Sequence, residues 1–472
     1  MPATVPSDAV PTPVRRLAER LRDAGHQAWI VGGCLRDLLL DRPVNDWDLA
    51  TTALPGDVQK TFRRVIPTGL QHGTVTVVLD GTPYEVTTLR GEGAYTDGRR
   101  PDSVFFVDDI REDLARRDFT VNALAWDPLE ETLVDPFGGL DDMRRRLIRA
   151  VGDPRERFAE DGLRVLRAAR FVATLEFELD PPTEAAIAGA LGTYRKVSAE
   201  RIRDEWLKAF KAERPSRAFE VMRRTSILEV TCPALLEQVG CTQNAHHAYD
   251  VWTHTLHCLD AARGHGPELR LAALFHDLGK PRTRALSEKT EDWTFYGHEK
   301  VGAGMADEWL ESHRFSRRER ETVVHLVRHH LVCYAPDWTD AAVRRFVRRV
   351  GADWVPMLLA LARADARAKG RPVDDELALL DELEGRVADL VSRDTALTTR
   401  QLAIGGKDVM AHYDARPGPF VGRVLDALLE RVLDDPTLNR RDRLLALLDE
   451  PEVRALRGDG GAADPAAEAR KP

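Results

Sequence analysis

The chain reads Ala28-Trp29-Ile30-Val31-Gly32-Gly33-Cys34-Leu35-Arg36-Asp37-Leu38-Leu39 and then, past Pro43, Asp46-Trp47-Asp48-Leu49. The apolar run at 28–31 predicts a buried strand. Gly32-Gly33 lets the backbone turn sharply. A short amphipathic helix should follow, with Leu35, Leu38 and Leu39 on one face, Arg36 and Asp37 off it, and Pro43 ending it. A second strand carries Asp46 and Asp48, whose alternate spacing points both carboxylates the same way. Two carboxylates side by side repel unless a cation sits between them, and a hard cation with oxygen ligands suits them best. The glycine turn offers bare N–H groups and a positive helix end to a phosphate. A phosphate cradle beside a carboxylate pair suits metal-assisted nucleotidyl transfer.

Working outward, residues 73–79 are β-rich. Asp80-Gly81 is a hairpin turn, and residues 84–89 form the returning strand. Glu85 and Thr87 share a face opposite Val86, which makes Glu85 a candidate third carboxylate in the same sheet. Residues 91–102, rich in Gly, Arg and Asp, read as a mobile loop. In residues 113–125 a charged head precedes an apolar tail, with Asp118 or Thr120 placed to cap a following helix. Asp135-Pro-Phe-Gly-Gly139 is a turn, and the mixed region ends near Val151. Upstream, residues 14–24 read as a helix through Leu17 and Leu21.

Beyond Val151 the pattern is helical, over 160–173, 184–191, 199–211 and 217–225. In Glu160-Asp161-Gly162-Leu163-Arg164 the residues Asp161, Arg164 and Arg167 recur every third position and predict one helical face. Gly162 costs that helix roughly 1 kcal/mol of propensity. The face reads either as a solvated salt-bridge ladder or as a reader of bases. A carboxylate accepts hydrogen bonds and a guanidinium donates them. Cytosine and adenine present an amino donor beside a ring-nitrogen acceptor, whereas guanine and uracil present the reverse. Asp161 beside Arg164 would therefore accept C and A, and Arg167 and Arg170 would be free to neutralise a triphosphate.

Four stretches resemble the class II tRNA nucleotidyltransferases, the CCA-adding enzymes, whose relatives include bacterial poly(A) polymerases. They are Gly32-Gly33-x-x-Arg36-Asp37, Asp46-x-Asp48, Arg116-Arg117-Asp118-Phe119-Thr120-x-Asn122-Ala123 and Glu160-Asp161-x-x-Arg164, in family order across residues 28–171. The resemblance implies an α+β nucleotidyltransferase head, a small mixed β-sheet with helices, followed by all-α neck, body, HD and tail domains. It implies Mg²⁺ on Asp46 and Asp48, Gly33 and Arg36 at the triphosphate, and Arg117 and Asp118 near the nucleotide sugar. Asp161 and Arg164 would read the base, with Arg167 and Arg170 beside them. Residues 91–109 resemble the family's flexible loop. Gly406-Lys407-Asp408 followed by Gly418-Pro419 resembles its tail region. The expected partners are the 3′ end of tRNA, CTP and ATP. An A-only adding enzyme or poly(A) polymerase shares every motif used here.

The histidines crowd between 246 and 330. His254 lies in a helical stretch, His276-Asp277 follows an apolar one, and Asp365 comes later. Imidazole with carboxylate suits a transition metal or Mg/Mn. The pattern resembles the HD phosphohydrolase superfamily, which implies His254, His276, Asp277 and Asp365 as ligands of a divalent metal. His298 and His329 would complete a second position. A degenerate helical spacer is the competing reading. An additional phosphohydrolase activity, or a phosphohydrolase whose head only binds RNA, is the alternative of another class.

The 472 residues exceed one core, and the expected map is a loose tail at 1–13, head 14–150, neck and body 151–245, HD domain 246–370, helical tail 371–456 and a loose tail at 457–472. Hydrophobic content of 43% with 31% charge is that of a soluble globular protein. A net charge of −9 argues against a chain coated with nucleic acid, though not against a local basic face. Five scattered cysteines without CxxC spacing exclude a zinc ribbon and a disulfide framework. With no membrane span, signal peptide or implied protein partner, a cytoplasmic protein is expected.

Overall fold

The computed structural model describes residues 5–44, 46–70, 73–92, 104–393 and 396–457. It divides into two compact units, residues 1–241 with 307–320, and residues 242–306 with 321–472. The expected mobile loop falls largely on 93–103, outside the described residues, as do 1–4 and 458–472 of the expected tails.

In the first unit the strands are β1 (Ala28–Val31), β2 (Asp48–Thr51), β3 (Val65–Gly69), β4 (Thr74–Leu79), β5 (Thr82–Thr88), β6 (Arg90–Glu92), β7 (Val104–Phe106), β8 (Ala125–Asp127) and β9 (Thr132–Val134). Seven of them form one mixed sheet in the order β3-β4-β5-β2-β1-β8-β9, with β6 and β7 paired separately. Only β2 and β5 run parallel within the seven. β1 is buried along its whole length, as its apolar run requires. Trp29, Val31, Ala50, Ala123 and Ala125 share a core with Leu89, Ile110, Leu114 and Val151. The Asp80-Gly81 turn joins β4 to β5 with Leu79 opposite Thr82 and both turn residues at positive φ, 52° and 85°. That is the two-residue turn matched to sheet twist.

Three local expectations change. The apolar tail at 119–125 does not open a helix. Residues 120–122 make one 3-10 turn, and Ala125–Asp127 then pairs with β1. Neither Asp118 nor Thr120 caps a helix there. The second strand begins at Asp48, leaving Asp46 ahead of it. β1 leaves the sheet at the Gly32 turn, so nothing extends its pairing with β2 beyond Leu49 opposite Ile30. Residues 5–13 are not loose, because Val5 and Val10 are buried and a helix starts at Thr12.

The remaining helices of this unit include α1 (Gly33–Leu39), α2 (Pro154–Glu160), α3 (Leu163–Leu175), α4 (Pro181–Tyr194) and α5 (Ala199–Ala209). α1 stops at Leu39, ahead of Asp41 at φ 56°, and Pro43 lies past its end. The helices that matter for the histidines are α6 (Val251–Ala261), α7 (Pro267–Phe275), α8 (His298–Ser312), α9 (Arg317–His329) and α10 (Val355–Ala368). No helix among the described residues is long and apolar enough to cross a membrane. All five cysteines are free.

Candidate active site

Gly32 turns the chain between β1 and α1 with φ 76°. A Cβ there would meet Arg117 Nη1 at 3.1 Å and Asp48 Oδ2 at 3.8 Å. Glycine is thus required twice, by its backbone angle and by the close approach of a guanidinium and a carboxylate. This turn opens a cavity of about 730 Å³ lined by Gly33, Arg36, Asp46, Asp48, Arg117, Asp118, Asp161, Arg164, Arg167 and Arg170. Of the head residues expected to hold metal or nucleotide, Glu85 alone is absent from this lining. Glu85 sits directly opposite Asp48 in the β2–β5 register and lines a smaller adjoining cavity with it. Burial pushes the Asp48 carboxyl up to about 6, and the charges of Glu85 and then Asp46 add to the rise. Three neighbouring oxygen-bearing acids form the donor set a hard divalent cation fits.

The arginines are held in pairs. Arg36, expected off the packed face of its helix, is buried. It gives Nη1 to Asn122 Oδ1 at 2.7 Å, while Nε and Nη2 reach the Asp37 carboxylate. Arg117 reaches Asp113 at 3.2 Å, and buried Asp113 also takes Arg116. Asp118 accepts from the Phe119 amide and Asn122 Nδ2 on one oxygen and from Arg167 on the other. Burial alone would raise it, but Arg167 and the Asn122 amide hold its carboxyl well below the usual carboxylate range. Arg170 gives Nε to Glu205 at 2.5 Å and lies 3.9 Å over the Phe171 ring. Arg167 and Arg170 are therefore not the free cations expected, since each already carries a carboxylate.

The face expected of Asp161, Arg164 and Arg167 is broken. α2 ends at Glu160, Asp161 is extended (φ −140°, ψ 109°), and α3 starts at Leu163. The cause is packing. A Cβ on Gly162 would lie 2.5 Å from Tyr194 N and 2.6 Å from the Thr193 carbonyl carbon, so the end of α4 presses on this link. Asp161 Oδ1 accepts from Leu163 N at 3.0 Å, and Oδ2 pairs with Arg201 Nη2 at 2.6 Å. Arg164 pairs with Glu160 and donates to the carbonyls of Arg157 and Arg116. Asp113, Asn122, Arg201, Glu205 and Lys208 were missed in the sequence. Asn122 lies inside the Arg116–Ala123 motif and Asp113 just ahead of it, whereas Arg201 and Lys208 reach the cavity, and Glu205 reaches Arg170, only through the fold.

In the second unit His254, His276, Asp277, His298 and His330 are all at most 5% exposed. His254 Nε2 lies 3.2 Å from His276 Nε2 and 3.0 Å from Asp365 Oδ1. His298 Nε2 lies 3.2 Å from His330 Nε2, and Asp277 lies between the two groups. His276, His298 and His330 give Nδ1 to the carbonyls of Ala273, Phe295 and Val327 at 2.8, 2.7 and 2.7 Å. That places the ring proton on Nδ1 and leaves the Nε2 lone pairs converging, the second-sphere arrangement of metal-binding histidines. Burial, reinforced by His276, pushes the His330 imidazole down to about 3, so it stays neutral. The expected His329 is not in this group. Its ring lies 4.6 Å from that of His325, tilted by 46°, because a neighbouring position on a helix turns the side chain away. His330 takes its place, and His247 joins His254 and Asp365.

Residues 28–149 match the family model of the poly A polymerase head domain. Residues 176–238 match that of the probable RNA and SrmB-binding site of polymerase A, and residues 251–380 that of the HD domain. A CCA-adding enzyme of Lactobacillus delbrueckii is 49% identical over 217 residues, 46% of this chain and 54% of the relative. The match thus spans about half the length of that relative. A CCA-adding enzyme of Geobacillus stearothermophilus is 33% identical over 435 residues, covering 92% of this chain and 95% of the other. The crystal structure of the Bacillus stearothermophilus CCA-adding enzyme in complex with CTP superposes with TM-score 0.73 at 30% identity, covering 95% of this chain and all of that one. On this near full-length likeness, and on the head, RNA-binding and HD modules in sequence, the chain belongs to the CCA-adding enzyme family.

Proposed function

We propose that the protein builds or repairs the 3′-terminal CCA of tRNA from CTP and ATP, without a template and with release of pyrophosphate. The observation that carries this reading is one cavity that joins the Asp46 and Asp48 acids, with Glu85 opposite Asp48 in the sheet, to the held side chains of Asp161 and Arg164. The primer 3′-OH attacks the α-phosphate and the bond to the β-phosphate breaks. Asp46 and Asp48, with Glu85 beside them, would hold Mg²⁺. When bound, the ion supplies Lewis-acid stabilisation of charge on the phosphoryl oxygens. Gly33 and Arg36 bind the triphosphate, Arg117 and Asp118 the sugar, and Arg167 and Arg170 keep the base pocket charged and rigid. Asp161 accepts the amino hydrogen of C or A, and Arg164, fixed by Glu160, donates to the neighbouring ring nitrogen.

In the second unit His254, His276, Asp277 and Asp365 would hold a divalent transition metal, and His298 with His330 a second. A phosphohydrolase activity is the reaction this centre supports. The setting is the cytoplasm, where tRNA and nucleotides are available.

The test is tRNA lacking CCA, incubated with each nucleotide singly and with CTP and ATP together. CTP alone should add two residues, ATP alone none, and the pair three. Extension by ATP alone, with CTP refused, would leave the A-only reading standing.

A further inference from the structure

Asp161 does not owe its orientation to a helix. It sits in extended backbone between α2 and α3, where the carboxylate is fixed at both oxygens, by the Leu163 amide and by Arg201. Arg201 comes from α5, forty positions away in sequence. It lines the same cavity as Asp48, Asp161 and Arg164. Its other terminal nitrogen, Nη1, is buried without a hydrogen-bond partner among the described residues. A buried donor left unpaired costs roughly 1–3 kcal/mol. A pair kept for stability alone would not carry that penalty, and such groups call for another explanation.

The symmetry of the site supplies one. Arg164, the donor half, is held by Glu160 and two carbonyls. Asp161, the acceptor half, is held by Arg201. We infer that Arg201 is a specificity-determining positioning residue that aims the Asp161 carboxylate at the base edge, an inference that rests on the proposed base-reading role of Asp161. It acts through Asp161 and touches no reacting atom. Pinned at both oxygens, the carboxylate presents acceptors, which repel the carbonyl of uracil or guanine. Released from Arg201, it rotates, and the selection relaxes.

The experiment measures kcat/KM with full-length protein, for CTP and UTP on tRNA lacking CCA and for ATP and GTP on tRNA that already ends in the two cytidines. Arg201→Ala should lower the CTP/UTP and ATP/GTP ratios about tenfold, the scale of one lost charged hydrogen bond. KM for CTP and ATP should rise, with kcat within about threefold. Adding Arg201→Ala to Asp161→Ala should change the ratios less than about twofold, because the two act as one unit. Unchanged ratios in a folded Arg201→Ala protein, or losses that multiply in the double variant, overturn the inference. Should the alanine variant not fold, Arg201→Lys is read instead. An ammonium keeps the charge but not the planar fork, so its ratios should still fall at least about threefold, and unchanged ratios overturn the inference equally. A wild-type protein that adds neither C nor A defeats the proposed function itself. A wild type that selects C and A while the Arg201 variants do the same defeats only the role of Arg201.

Discussion

The head cavity and the histidine cluster both gather acids that repel one another, but they relieve the repulsion in opposite ways. In the head the compensation is by guanidinium. Asp118 takes Arg167, Glu205 takes Arg170, Asp161 takes Arg201 and Glu160 takes Arg164. The Asp48 carboxyl stays raised, because burial and Glu85 outweigh the nearby Arg117. The histidine cluster is buried, and His276, His298 and His330 commit Nδ1 to backbone carbonyls, so their Nε2 atoms turn toward Asp277. A wide cavity of paired charges suits a polyanion that enters and leaves. A closed nest of lone pairs suits a cation that stays.

The largest effect that sharpens this contrast is in the second unit. His330→Ala removes a converging lone pair, and metal affinity should fall at least as far as the roughly 10–100-fold that losing an outer partner costs. His329→Ala should leave it unchanged. Metal analysis of the two purified variants checks this, and equal loss in both would return His329 to the cluster.

The next lies in the head. Asp118→Asn strips the charge from the buried partner of Arg167 and should cost roughly 1–3 kcal/mol at pH 7. A carboxyl held below its unfolded value contributes stability that is complete above about pH 4 and is lost as pH falls toward the folded value. The difference between wild type and variant in urea unfolding should thus be flat from pH 7 to 5 and shrink below about pH 4. A difference that grows on acidification would contradict the assignment.

The smallest effect concerns the link that breaks the helix. Gly162→Ala forces a methyl against the backbone of Thr193 and Tyr194. Overpacking of this kind costs about 1–3 kcal/mol. An exposed helix interior would instead gain about 1 kcal/mol from the same change. The sign of the Tm shift separates the two.

Gly162 also shows where sequence reading stopped. Helical periodicity runs on from Glu160 to Arg170, and nothing local announces that the end of α4 will press on one residue. The same limit hid Arg201, whose partner lies forty positions away, and turned the strand at Ala125 into an expected helix, since its pairing with β1 is tertiary. His330 was missed by one position, a matter of where α9 frays into its turn. The parts that were legible rest on local rules. Strand alternation put Glu85 on the Asp48 face, and Asp80-Gly81 announced a hairpin. Gly32 announced a turn that only glycine makes. His276-Asp277 in an apolar stretch announced a buried polar pair. The proposed tRNA-dependent chemistry was legible only as a resemblance, carried by four motifs in order.

The account holds that transfer belongs to the head acids alone. The direct measurement is the initial rate of CTP and ATP incorporation into tRNA lacking CCA by Asp46→Ala/Asp48→Ala and by His276→Ala/Asp277→Ala, each confirmed folded. The first should lose both additions by about 10³-fold or more, beyond the loss of one electrostatic contact, while keeping the metal of the histidine cluster. The second should lose that metal and keep both additions within about twofold. Normal incorporation by the folded head variant, or its loss in the histidine variant, would contradict the account.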